Sequence, residues 1–343
     1  MPLFPDASRS LARIHVTQDR FDRLSGLETD TGFTLAHAIA SGQAHADSSI
    51  GIYVGDAQFY DLFREVMEPI ILDYHGLQPP IDHPAPLPPA DYGSIALETP
   101  DPEGEFILSS RVRVARNLAD VAFPPHVSAP DRDQVALAVA NAAETFQDDL
   151  AGHWFPMDKR TPEELETAMA DGTAFPNGDR FMEDAGINRD FPRARGVFKS
   201  QDDCARIWVN EEDHLRVISM EKGADLASVF HRLGRMLTAL ERRINFARHP
   251  RLGYLSSCPT NIGTAMRAGV HIRLPRLEQH PEELKKIVTA HQLQIRGTGG
   301  EKTAVQESVF DISNKHRLGL DEAQIIHTLN KGITALIAAE KRL

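Results

Sequence analysis

The stretch "SSRVR" sets Arg111 and Arg113 two positions apart, so on a strand both guanidinium groups project from one face. Planar, forked and permanently charged, such groups suit phosphate oxygens better than lysine does. "NEEDHLR" places Glu211, Glu212 and Asp213 ahead of Arg216. That offers a carboxylate for a cationic substrate beside an arginine for an anionic one. "LSSCPTNIGTAMRAGVHIRLP" carries Cys258 between Ser257 and Pro259, with Arg267 and His271 following; hydroxyls and nearby cations favour a thiolate. Finally, "RGTGGEKTA" has three glycines among residues 296 to 300, Arg296 in front of them and Glu301 directly behind. Glycine backbone lets NH groups approach phosphate closely. Its spacing matches neither G-x-x-x-x-G-K-[ST] nor G-x-G-x-x-G, and phosphate alone does not explain the carboxylate.

These residues need elements to carry them. "EFILSSRVRVAR", "ARIWVNE", "HLRVISM" and "GVHIRLP" are β-branched or aromatic stretches of strand type. Residues 226 to 244 place Leu226, Val229, Phe230, Leu233, Met236, Leu237, Leu240 and Ile244 on one helical stripe, and residues 325 to 337 do the same with Ile325, Ile326, Leu329, Ile333, Leu336 and Ile337. Strands mixed with helices make an α+β domain. Ahead of it, "AQFYDLFREVMEPIILDYHG" has helical spacing interrupted by Pro69, and six prolines fall among residues 79 to 89. Such density favours an extended spacer. We expect a small helical domain over residues 1–90 and a larger one over 91–343.

Composition narrows the partners. The chain has 343 residues, 41% apolar and 25% charged, with 37 basic against 49 acidic side chains and a net charge of −12. The acidic balance argues against a large nucleic-acid or acidic-membrane surface. With no signal-like N-terminus and no apolar run long enough to span a bilayer, the expectation is a cytoplasmic protein. Two cysteines, Cys204 and Cys258, exclude a disulfide framework or a Cys-rich zinc site. Cys204 reads as structural.

Singly, each of these stretches has an ordinary structural reading: a solvated strand face, a charged turn, a buried thiol, a packed histidine. Together "SSRVR", "WVNEEDHLRVISM", "CPTNIGTAMRAGVH" and "RGTGGE" resemble the phosphagen (guanidino) kinase family, with the likeness running from about Ser48 to Leu343. The resemblance implies a small all-helical N-terminal domain and a larger domain with an antiparallel sheet flanked by helices. It also implies reversible transfer of the γ-phosphoryl group of MgATP to a guanidino nitrogen. Arg111, Arg113, Arg216, Arg267 and Arg296 match the family's phosphate-binding arginines, and His271 and Asp311 match nucleotide neighbours. Glu212 matches the carboxylate that binds the substrate guanidinium and is the first candidate base, with Glu301 second. Cys258 matches the family's reactive cysteine, read as positioning and charge without a covalent intermediate. Mg²⁺ would ride on the ATP phosphates and water, so no all-protein metal site is implied.

Substrate choice follows from finer matches. "DSSIGIY" resembles the specificity loop of arginine-using members, with Ser48, Ile50 and Tyr53 engaging the amino-acid end, and Tyr74 matches an aromatic residue typical of them. Asp47 and Arg180 match a pair that ties the two domains together. L-Arginine is therefore expected ahead of creatine, glycocyamine or taurocyamine. A protein-arginine kinase, which lacks the small-substrate loop, and a silent nucleotide-binding regulator are the rivals. Three departures stand out: Gly172 where the family usually has a histidine near the adenine, "FKSQDD" over residues 198 to 203, and Glu307 and Ser308 in place of a glycine pair.

Overall fold

A computed structural model describes residues 3–297 and 306–343. Five helices come first: α1 Leu11–His15, α2 Gln18–Leu24, α3 Leu35–Ala44, α4 Phe59–Leu62 and α5 Arg64–His75. Thr34 caps α3 reciprocally with His37, and α5 stops at Gly76 in the left-handed region at φ 66°, where glycine carries no Cβ penalty. The helical break in this stretch falls at Phe63, while Pro69 lies inside α5. Phe33, Ile39, Phe59, Phe63, Met67 and Ile70 build the core of these helices.

Among the described residues ten strands follow: β1 Ile107–Arg116, β2 Gly152–Pro156, β3 Gly196–Ser200, β4 Ala205–Val209, β5 Leu215–Lys222, β6 Arg248–His249, β7 Gly253–Tyr254, β8 Met266–Arg273, β9 Leu293–Arg296 and β10 Val309–Asn314. Eight of them form one antiparallel sheet in the order β2-β3-β4-β5-β1-β8-β10-β9. The fold is α+β, as the sequence leads one to expect. The helices here are α6 Ala129–Ala143, α7 Pro162–Ala170, α8 Arg180–Asp184, α9 Leu226–Glu241, α10 Pro275–Glu278, α11 Pro281–Ala290 and α12 Glu322–Arg342. Of these α6, α9 and α12 share a continuous core with the sheet, into which Val112, Val114, Val217, Val270, Phe230, Leu233, Ile326 and Leu329 all point. Each such side chain contributes about 1.5–3 kcal/mol by leaving water. Asp225 caps α9 and Asp321 caps α12, so both stripes begin where their first turns are satisfied.

Alternation in β1 is the consequence that matters. Ser110, Val112, Val114 and Arg116 are buried, whereas Ser109, Arg111, Arg113 and Ala115 keep some exposure. The second face is therefore left free to work.

The proline-rich segment is extended but docked. The Leu87 amide donates to Glu322 at 2.9 Å, the Gly319 amide donates to His83 at 3.1 Å, and Tyr92 stacks on Phe230 with centroids 4.3 Å apart. With Ile81 buried in the helical core and Tyr92 in the larger one, it is a strap anchored at both.

Candidate active site

Antiparallel register gathers the arginines. Arg113 of β1 stands opposite Arg267 of β8, Ala115 stands opposite Arg216 of β5, and Arg111 lies two residues along on the same face. Ser109 pairs with His271, His271 with Asp311 of β10, and Asp311 with Arg296 of β9. Cross-strand partners share a face, so one side of the sheet presents Arg111, Arg113, Arg216, Arg267, Arg296, His271 and Asp311 together. Arg267 is paired with Asp311 at 2.6 Å, and Ser109 Oγ lies 3.2 Å from His271 Nδ1. Among the described residues no carboxylate comes within ion-pair distance of Arg111 or Arg113. Enclosure in the cleft, then the charges of Arg216 and Arg267, push Arg111 down to about 10. Arg113 is likewise held well below its ordinary value by enclosure, then by Arg216 and Arg111. Both keep contact with solvent, so enclosure is partial, and a polyanion would relieve the crowding.

An acidic pocket lies at one end of this face, carried on loops. Arg216 reaches back to Glu211 at 2.8 Å and to Glu212 at 3.4 Å, and its guanidinium sits 5.4 Å from the Trp208 ring centroid. Asn261 Nδ2 is 3.5 Å from Glu212 Oε2. Burial, then the negative charges of Asp213 and Glu211, raise the Glu212 carboxyl to about 7. Cys258 is buried, with Sγ 3.0 Å from Thr260 Oγ1. Burial first and Glu212 second push its thiol up to about 12. This differs from the thiolate expected of the sequence, because burial and the fields of Glu212 and Asp213 both favour the neutral thiol. A guanidinium between them would reverse that field.

Three further residues knit the pocket together, and of these only Asp213 stood in a motif of the sequence, as part of its charged turn. Asp213 is buried, and its Oδ1 accepts from Asn117 Nδ2 at 2.6 Å and from the Ser257 amide at 2.7 Å. It thereby joins the Glu212 loop to the Cys258 loop. Arg317 Nη1 donates to the Thr260 carbonyl at 3.0 Å and to Asn261 Oδ1 at 2.6 Å; burial lowers its pKa. No motif flags Asn117 or Arg317, whose neighbours in sequence are unremarkable.

The "DSSIGIY" loop meets the same pocket. The Val54 amide donates to the Ser257 carbonyl at 2.7 Å, and Tyr60 Oη donates to the Ser256 carbonyl at 2.8 Å. Tyr53 is buried, and its phenol is raised by burial and then by the fields of Cys258 and Glu212. Ser48 Oγ accepts from the Gly51 amide at 3.0 Å, and Ile50 is packed in the helical core, so these two shape the loop from inside. Tyr74 is 46% exposed on α5, edge-on to His75. Arg180 pairs with Asp47 beside a His45–Asp184 contact of 2.6 Å. Glu301 lies outside the described residues.

Residues 6–72 match the N-terminal domain of the ATP:guanido phosphotransferases and residues 134–343 match their C-terminal catalytic domain. The chain belongs to this family. This phosphagen kinase is 39% identical over 337 residues to an arginine kinase of Penaeus japonicus, covering 98% of the chain and 94% of that protein. It is also 39% identical to an arginine kinase of Liolophura japonica, covering 97% and 95%. A lombricine kinase structure superposes with a TM-score of 0.91 at 34% identity, covering 98% of this kinase and 94% of that chain. The duplicated taurocyamine kinase of Schistosoma mansoni gives 0.89 at 36% identity, covering 98% of this chain and 47% of that one. The family's phosphotransferase activity is thus that of the chain. Among the described residues no helix is long and apolar enough to cross a membrane, and no group of three or more metal-ligating side chains gathers.

Proposed function

We propose that this phosphagen kinase is an arginine kinase, reversibly converting MgATP and L-arginine to MgADP and phospho-L-arginine as a cytoplasmic energy buffer. The observation carrying this reading is the seam between the "DSSIGIY" loop and the Cys258 segment, which brings Tyr53 to the guanidinium pocket. An amino acid has a second polar end, and a phenol with loop amides can satisfy it. We take residues 1–90 as the substrate-loop domain and residues 91–343 as the catalytic domain.

In the reaction, Arg111, Arg113, Arg216, Arg267 and Arg296 hold the phosphates of MgATP, with His271 and Asp311 beside the nucleotide; the Mg²⁺ enters with its phosphates. Glu212 holds the guanidinium through charge-assisted hydrogen bonds and aims one nitrogen at the γ-phosphorus. A bond forms from that nitrogen to phosphorus as the bond to the β,γ-bridging oxygen breaks, and ADP leaves. The nitrogen's proton passes to Glu212, or to Glu301 as the second candidate. Cys258 faces a non-reacting nitrogen as a positioning group, and Asp47 with Arg180 biases closure.

A coupled ADP-release assay with MgATP against L-arginine, creatine, glycocyamine, taurocyamine and lombricine tests the reading. Arginine should give the highest kcat/KM by at least tenfold. Preference for another compound would reassign the substrate, and no turnover with any would return the regulator reading.

A further inference from the structure

One further arginine stands on the phosphate-facing side of the sheet. Arg206 of β4 is cross-strand from Ile218 of β5, and Ile218 is cross-strand from Arg113 of β1. Arg206 therefore shares the cleft face, two strands from Arg113. Its side chain is 17% exposed. Asp203 holds it by the edge, accepting from Nε at 2.6 Å and from Nη2 at 2.7 Å. Nη1 donates to none of the described residues.

Gly172 makes the room. A Cβ built there would lie 2.3 Å from Nη1, 2.4 Å from Cζ and 2.5 Å from Nη2 of Arg206. Near-equal distances to three atoms of one plane mean that the guanidinium lies flat over the glycine. The backbone of Gly172 has φ +68°, which further disfavours any side chain. Lys199 braces the arrangement, donating to the Asp171 carbonyl at 2.8 Å and pairing with Asp203 at 3.3 Å. Two cations thus share one carboxylate, leaving an excess positive charge. Arg206 also adds to the like-charge field on Arg111, so an anion beside Arg111 feels both.

We propose that Arg206 is an additional nucleotide-binding residue, with Nη1 contacting the phosphate chain of a nucleoside di- or triphosphate and Gly172 and Asp203 as its positioning residues. The assignment rests on the phosphotransferase reading of the cleft but not on which guanidino compound is the acceptor. It turns two departures from the family pattern, the missing histidine at Gly172 and the altered "FKSQDD" turn, into one compensated arrangement.

Titration calorimetry with MgADP and MgGDP tests it on the whole chain. Arg206→Met should weaken both nucleotides by the same factor, about tenfold, and flatten the salt dependence of binding by roughly one charge. KM for the guanidino substrate at saturating MgATP should not move. Arg206→Lys should recover part of the loss. Gly172→Ala, which keeps the charge but displaces the guanidinium, should cost a similar factor and add little on top of Arg206→Met. Unchanged affinity for MgADP in Arg206→Met would overturn the proposal while wild-type binding leaves the kinase reading in place. A loss confined to one nucleotide would refute the phosphate contact in favour of a base contact.

Discussion

The two halves of the site are built in opposite ways. The cations we assign to the phosphates stand on strands, where the ladder fixes their spacing and alternation fixes their face. The carboxylates and the thiol we assign to the guanidinium stand on loops, and hydrogen bonds hold them in register: Asp213 to Asn117 and Ser257, and Ser257 to Val54. Electrostatics differ in the same sense. Arg111 and Arg113 are crowded by like charge, whereas Glu212 and Cys258 are buried beside other acids and pushed toward neutrality. Each half is strained until the opposite charge arrives, so substrate binding relieves what folding imposes.

The largest predicted effect breaks the acidic half alone. Glu212→Gln should lower kcat by about a thousandfold or more, through loss of the charged clamp and candidate base, while MgADP affinity by calorimetry stays within about twofold. Comparable loss of nucleotide binding would place Glu212 in the other half. The same substitution should stabilise the fold. Because the folded Glu212 holds its proton to about pH 7, whereas a free carboxyl releases it near pH ~4.3, wild-type stability falls as pH rises across that interval. Glu212→Gln lacks that loss, so its Tm advantage over wild type should grow between pH 5 and 8. A constant difference would remove the buried charge from the account.

Next comes pH dependence. A raised Glu212 binds a guanidinium only once ionised, so kcat/KM for the guanidino substrate should fall as pH drops through about 7, whereas MgADP affinity should stay nearly flat there. The thiol carries a companion test. With its value up at about 12, Cys258 in the substrate-free protein should react slowly with iodoacetamide at pH 7 and progressively faster up to pH 10. Bound MgADP and arginine together should protect it. Cys258→Ser should lower the rate by about tenfold to a hundredfold; labelling of Cys204 with the same rate control would move the reactive thiol to the turn ahead of β4.

The asymmetry also explains what was legible. Period-two spacing in "SSRVR" and "HLRVISM" carries through directly to the shared face, and the stripes at Leu226 and Ile325 became α9 and α12. Loop geometry has no period. Nothing in "KHRLG" marks Arg317, and "RVARN" does not say that Asn117 reaches across to Asp213. Composition predicts a spacer at the prolines but not that Ile81 and Tyr92 bury themselves in two different cores. Reading Cys258 as a thiolate counted cations near in sequence; the fold buries the thiol and sets it in the field of Glu212 and Asp213.

The smallest predicted effect sharpens the comparison at the far end of the acidic half. Tyr53 is buried beside Cys258 and Glu212, and its hydroxyl is the polar group the "DSSIGIY" loop brings there. If it serves the amino-acid end of arginine, Tyr53→Phe removes one hydrogen bond and should cost about 1 kcal/mol in kcat/KM, roughly fivefold. MgADP affinity should not change, since the proposed phosphate site lies on the strand-borne half. Agmatine, which lacks the carboxylate, should be a poor substrate of the wild type and should lose less than twofold on Tyr53→Phe. The contrast between the two substrates carries the information, because a variant that merely loosened the loop would slow both alike. Equal loss with arginine and agmatine would detach Tyr53 from the carboxylate end. Equal wild-type efficiency with the two would end the arginine assignment while leaving the guanidino kinase intact.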